Sequence, residues 1–231
     1  MKNVFISTEN VNRCSDVCEE LESADGKIGP SLAILTGPAG RGKSEFAKHY
    51  ATNSTAVYLP PMNIRTPTML LREIAFELCA VRPGRSEMCL TIINEEMAKE
   101  RRLIMIDEAD LLPIRILEML RNVNERSNCP ILLIGEEGLK GKVASRRRIA
   151  SRIRRQAAFG PVEQPDVTLF FRKALSVAIT TQAATAILKK ANGDWRPILT
   201  IALSTERAMR ASGLSDVSEK LINQVIGEKN D

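Results

Sequence analysis

Residues Gly37-Pro38-Ala39-Gly40-Arg41-Gly42-Lys43-Ser44 set a lysine and a hydroxyl behind a run of small residues, in the spacing G-x-x-x-x-G-K-[ST]. The chemistry this spacing suits is phosphate binding. Glycine lets the backbone curl until successive N–H groups point at phosphate oxygens, and a helix starting there adds its partial positive charge. Lys43 supplies a mobile cation for β- and γ-phosphates, and the Ser44 hydroxyl is placed to ligate Mg²⁺. Glu45 completes the candidate cradle. Further along, Asp107-Glu108 follows the apolar run Leu103–Ile106. A buried strand delivers a carboxylate at its C-terminal end, beside the phosphates. Asp107 would hold the water shell of Mg²⁺ together with Ser44, and Glu108 would deprotonate an attacking water as general base. ATP and Mg²⁺ are the expected cofactors.

These residues need strands and helices to hold them. Leu32–Thr36 reads as a strand into the loop and Glu45–Ala51 as the helix out of it. Thr55–Leu59 is a second strand, broken by Pro60-Pro61. Thr66-Pro67 is an N-cap followed by proline at the first helical position, with Leu70, Leu71, Ile74, Ala75 and Leu78 at helical spacing. Ser86 opens another helix. Leu103–Ile106 and Ile131–Ile134 are further strands around a helix at Pro113–Arg126, and Ala157–Phe159 is a short fifth. Unbroken apolar strands between helices predict a parallel sheet buried on both faces. From Pro165 onward only helices are expected: Asp166–Ile179, Ala183–Lys190, Pro197–Met209 and Asp216–Ile226. The fold class is thus α/β, a five-stranded parallel sheet flanked by helices and followed by a small all-helical lid. Residues 1–29 (a short helix at Asn10–Leu21, then a polar turn over 23–29) are expected to pack on a core of 30–162, with the lid at 163–231.

At 231 residues, 44% hydrophobic and 26% charged, the composition is that of a globular protein. No apolar run approaches the roughly 20 residues of a membrane span, and Met1–Ser7 lacks a signal-peptide core, so a bacterial host cytoplasm is expected. Five cysteines, an odd number, argue against a disulfide framework. With His49 the one histidine, Ser-His and Cys-His hydrolase schemes have little support. Asp107-Glu108-Ala109-Asp110 spells a helicase box by letters alone, and the chain is too short for two helicase domains.

Taken together, Gly37–Ser44, Asp107-Glu108 and a helical lid resemble the AAA+ ATPases, in the branch of Orc/Cdc6-type initiators and transposition regulators. Within that branch the chain resembles the phage Mu transposition protein B family, through Thr8-Glu9-Asn10, Ile28–Ser44 and Ile106–Gly135. The resemblance implies further roles. Gly193-Asp194-Trp195-Arg196 is similar to the motif that opens a lid helix in this branch, which would make Arg196 the sensor-2 arginine. It also implies oligomers, as rings or helical filaments, on double-stranded DNA without sequence preference, and a transposase partner. One departure is plain. Such proteins place Asn, Thr or Ser after the fourth strand, whereas here Gly135-Glu136-Glu137 follows Ile134. A carboxylate facing a γ-phosphate is repulsive, so slow hydrolysis is expected.

Between Lys140 and Arg155 lie eight basic residues and no acid. One reading is a solvated helix face. A second is an arginine finger acting on a neighbour's γ-phosphate. Ser151-Arg152-Ile153 resembles the finger motif of clamp-loader relatives, which favours Arg152 over Arg148. A third is contact with a duplex backbone through Lys140, Lys142, Arg146, Arg147 and Arg148; the family resemblance implies further DNA contact from the loops between the second and third strands, where Arg65, Arg82 and Arg85 are the cations. Aromatic residues are 4% of the chain, too few for a base-stacking platform. The leading expectation is an ATP-dependent, DNA-binding ATPase that regulates a transposase. A replication initiator or helicase loader, and a nucleotide-locked DNA-coating scaffold with little turnover, remain alternatives.

Overall fold

The computed structural model describes residues 1–23, 28–212 and 217–227. In chain order the elements are α1 (Glu9–Glu22), β1 (Leu32–Thr36), α2 (Lys43–Thr52), β2 (Val57–Leu59), α3 (Pro67–Cys79), α4 (Ser86–Lys99), β3 (Ile104–Ile106) and α5 (Ile114–Ser127). There follow β4 (Ile131–Gly135), α6 (Gly138–Ala144), α7 (Arg147–Ala150), β5 (Ile153–Ala158), α8 (Gln164–Leu175), α9 (Thr181–Ala191), α10 (Trp195–Ser212) and α11 (Glu219–Gly227). The chain divides into two compact units, one of residues 9–38 and 43–159, the other of 1–8, 39–42 and 160–231.

The first unit is an α/β layer structure. Its sheet has five strands in the order β2-β3-β4-β1-β5, and every pairing is parallel. β1, β3 and β4 are buried along their whole length, which is why they read as unbroken apolar runs. Alternation then assigns the faces. Ile34, Val57, Leu59, Ile104, Ile106 and Leu133 pack with α3, α4 and α5. Ala33, Leu35, Met105, Leu132 and Ile134 pack with Cys14 and Cys18 of α1 and with Phe46 and Ala47 of α2. Strand order reverses beside β1, so the chain leaves β1 and β3 for helices on opposite faces of the sheet, α2 and α5, the arrangement in which α/β sheets bind ligands at the strands' C-terminal ends.

Local chemistry sets several boundaries. Thr66 accepts a hydrogen bond from the Met69 N–H at 3.3 Å, with Pro67 in the first helical turn, as its sequence demands. β5 starts earlier than the sequence suggests, at Ile153. Arg154 and Arg155 are held in extended backbone by Glu20 of α1, at 2.9 and 2.6 Å. The basic run 140–155 is therefore not one helix face; it is divided among α6, α7 and β5.

The second unit is helical. α8 to α11 enclose Phe170, Phe171, Ile187, Ile198, Ala202 and Ile222, and Ile6 packs into the same cluster. The 1–29 segment is thus divided: residues 1–8 fold with the helices because Val4 and Ile6 pack among them, and α1 folds with the sheet. Expected as purely helical, this region also holds, among the described residues, an isolated bridge between Ile179 and Val217. α10 begins two residues before the expected Pro197, because the Asp194 carboxylate accepts the Arg196 N–H at 2.7 Å. Asp216, the expected start of the last helix, and most of the expected turn over 23–29 lie outside the described residues. Among those residues no helix is long and apolar enough to cross a membrane.

Candidate nucleotide-binding site

In the α/β unit, β1 ends at Thr36 and α2 begins at Lys43, so the glycine-rich stretch joins a buried strand to a helix N-terminus. At Gly37 a Cβ would lie 2.6 Å from the Phe159 carbonyl oxygen, so only glycine lets the loop pass the end of β5. The Lys43 side chain is buried, and its Nζ donates to the carbonyls of Gly37 and Pro38 at 2.7 and 2.8 Å. The cation is thus folded into the loop's own concavity. Ser44, one residue into α2, is half-buried. Glu45 is exposed and pairs with Lys48 at 2.9 Å.

Asp107 continues the β3 ladder, its N–H donating to Leu59 O at 3.1 Å. Two residues beyond Met105, it projects to the α2 face of the sheet. Its carboxylate is almost fully buried, and both oxygens are engaged. Oδ1 accepts the Glu108 N–H at 2.9 Å and Oδ2 accepts the Tyr58 hydroxyl proton at 2.8 Å. Burial, then the hydrogen bond to this carboxylate, push the Tyr58 phenol well above its usual range. Glu108 is exposed and sits at φ +49°, a left-handed backbone that a non-glycine residue adopts only when its surroundings impose it.

Those surroundings are a set of ties between the turn and its neighbours. The Ala109 N–H donates to Ile134 O at 2.7 Å, fastening the turn after β3 to β4. The Asp110 carboxylate accepts the Glu136 N–H at 3.0 Å and lies against Gly135, where an added Cβ would meet it. Lys142 donates to the carbonyls of Asp110 and Leu112. The place where a polar sensor is expected is therefore filled by Gly135 and the Asp110 carboxylate, with the Glu136 side chain exposed. Sequence reasoning missed Tyr58, Asp110 and this use of Lys142. Only the β2–β3 register or the loop's own fold could reveal them.

The donor set fits a polyphosphate with a hard cation. The Thr36 hydroxyl, at the base of the loop, is buried without a partner among the described residues, a cost of about 1–3 kcal/mol when nothing answers it. Lys43 supplies charge, and Ser44 with Asp107 supplies oxygen ligands of the type Mg²⁺ prefers.

In the helical unit, residues 39–42 lie against 192–195. Gly40 is at φ +75°, and a Cβ there would collide with the Asp194 carboxylate. The Trp195 N–H donates to Gly40 O and Arg41 Nη1 to Asn192 O, both at 2.9 Å. Gly193, at φ +72°, leaves room for the Arg41 guanidinium and Pro161. Gly193-Asp194 thus seats the loop tip and caps α10. Arg196 is exposed in the first turn of α10.

The other candidates are dispersed over the α/β unit. Arg152 follows α7 and is held by Glu125 at 2.6 Å, whose other oxygen holds Arg121 at 2.6 Å. Arg147 and Arg148 are exposed, as is Lys140, while Arg146 faces Glu118 at 3.7 Å. Thr68 and Ser86 hydroxyls 2.6 Å apart bring the starts of α3 and α4 together, so the exposed Arg65 and Arg85 share one end of the unit. Arg82 lies over the Phe76 ring at 3.7 Å and pairs with Glu73 at 2.7 Å.

The chain is similar to known proteins in sequence and in fold. A family model described as an AAA domain matches residues 27–143. The chain is 27% identical over 146 residues to the ATP-dependent target DNA activator B of Escherichia phage Mu, covering 59% of this chain and 47% of that protein. It is 29% identical over 114 residues to the Mu-like prophage FluMu DNA transposition protein B of Haemophilus influenzae, covering 48% and 40%. The chain thus spans about half the length of the curated relatives it matches. Among solved structures, the Aeropyrum pernix ORC2 protein superposes with a TM-score of 0.69 at 14% identity, over 94% of this chain and 66% of that one. The Thermotoga maritima RuvB Holliday junction branch migration motor does so with 0.65 at 17%, over 96% and 69%. At such identities these structures speak to the fold alone.

Proposed function

The chain belongs to the AAA domain family, and from that premise we propose that it is an ATPase that assembles on duplex DNA and regulates a transposase. The observation that carries the ATPase part is the pairing of the Gly37–Ser44 loop, between β1 and α2, with a buried, doubly hydrogen-bonded Asp107 on the α2 face of the same sheet. The DNA and transposase parts rest on likeness to the target DNA activator B and transposition protein B relatives.

In this reading the backbone of 37–42 and the Lys43 ammonium bind the phosphates of ATP. Ser44 and Asp107 hold Mg²⁺, which offsets phosphate charge. Glu108, exposed on its constrained turn, takes the proton from the attacking water. Arg196 reads the γ-phosphate from the same subunit and Arg152 from a neighbour. A ring or filament of copies then depends on the nucleotide. Lys140, Arg147 and Arg148, with Arg65 and Arg85, are the proposed phosphate contacts to DNA. Arg146 keeps a weaker claim, and Lys142 and Arg82 are already committed within the chain. We place the protein in a bacterial host cytoplasm, with domains divided near residues 30 and 162. A scaffold with little turnover is the second reading. It is favoured by Gly135 and Glu136 standing where a polar sensor is expected.

Electron microscopy with duplex DNA, with and without ATP, tests the proposal. Rings or filaments should form only with ATP, and Lys43→Ala should lose ATP binding and assembly together. Assembly by Lys43→Ala at wild-type level would overturn it. Phosphate release with and without DNA separates the ATPase from the scaffold.

A further inference from the structure

We propose that Tyr58 is a positioning residue that orients the metal-binding carboxylate of Asp107; this rests on the nucleotide-site assignment above. Tyr58 stands opposite Met105 in the β2–β3 register, so Asp107 is its diagonal neighbour on the same face of the sheet. A tyrosine is long enough to span that diagonal, and its hydroxyl reaches Oδ2 at 2.8 Å. The backbone agrees with the side chain, since Leu59 O, next in β2, accepts the Asp107 N–H at 3.1 Å. β2 therefore grips Asp107 at two points.

The grip matters because a carboxylate's terminal torsion is soft and broad. Here the two oxygens are tied to donors on different elements, the Glu108 N–H and the Tyr58 hydroxyl, so the carboxylate plane is fixed. One lone pair on each oxygen is used, and the others are left in a set direction for the water shell of a cation. Partners that orient a metal-binding group in this way typically govern affinity by about 10–100-fold. The Tyr58 hydroxyl is committed to Asp107, and phenylalanine would keep the ring packing against the α2 layer while losing only the donor.

The test uses the full chain with a non-hydrolysable ATP analogue. Mn²⁺ affinity is measured by electron paramagnetic resonance, and metal-free nucleotide affinity in EDTA. Tyr58→Phe should raise the half-saturating Mn²⁺ concentration about tenfold and leave the EDTA affinity unchanged. Tyr58→Leu should weaken Mn²⁺ binding by at least as much. An unchanged Mn²⁺ affinity in Tyr58→Phe, with nucleotide still bound, overturns the role of the hydroxyl, whatever Tyr58→Leu does. A wild-type chain that binds no nucleotide overturns the site assignment itself, and is recognised before any variant is made.

Discussion

Lys142 shows what a single side chain contributes here beyond its charge. On a basic stretch it reads as one more cation for a DNA backbone, yet its ammonium donates to the carbonyls of Asp110 and Leu112 and so pins the turn that carries Glu108. Removing it strands two carbonyls in a partly buried place. Lys142→Met should lower unfolding stability by about 1–3 kcal/mol, the cost of unanswered polar groups. Chemical denaturation would show this, whereas Lys140→Met, at an exposed position, should leave stability unchanged. For DNA binding the expectation is reversed. The slope of log affinity against log salt should become shallower by roughly 0.9 for Lys140→Met and stay constant for Lys142→Met. Equal slopes for both variants would argue against using Lys140 as a phosphate contact.

Elements explain why some of this is legible in the sequence and some is not. β1, β3 and β4 announce themselves as apolar runs because they are buried on both faces, and α3 is announced by Thr66-Pro67. β5 is different. It begins with Ile-Arg-Arg-Gln, which resembles no buried strand, and is held extended by an acid far away in α1. Tyr58 is hidden for the same reason: its partner is defined by strand register, which local sequence does not carry. The glycine-rich loop and Asp107-Glu108, by contrast, are contiguous motifs and stand out at once. The α1–β5 clasp is testable by pH. Arg155, then Arg154, hold the Glu20 carboxyl below its usual 4.5, so its folded-state value is depressed. Its stabilising contribution is present above about pH 4.5 and is lost as pH falls through the folded value. Glu20→Gln should therefore destabilise the protein at neutral pH and make stability less steep on the acid side. Parallel acid limbs for the two proteins would show that the clasp contributes nothing.

At the scale of the whole molecule, the proposed assembly makes one copy's arginine part of another copy's site. Arg152 is tied within its own chain to Glu125, which also holds Arg121, so presenting it to a neighbour means exchanging one anion for another. Arginine suits such an exchange because its planar fork stays charged and can bond two oxygens. Arg152→Ala should retain ATP binding and lose hydrolysis, by about 10³-fold or more where such fingers act. Mixing it with Glu108→Gln should recover activity at mixed interfaces, read as phosphate release against mixing ratio. A flat response would place Arg152 outside any neighbour's site.

The two outer strands of the sheet also bear on assembly. β2 has only three residues and runs into Pro60-Pro61, while β5 displays Arg154, Arg155 and Gln156 along its length. Short, proline-stopped and charged margins make poor templates for strand addition. Copies crowded side by side on a polymer would thus be guarded against fusing their sheets into an irreversible aggregate, and the joints between them could be left to helices and loops, which come apart again.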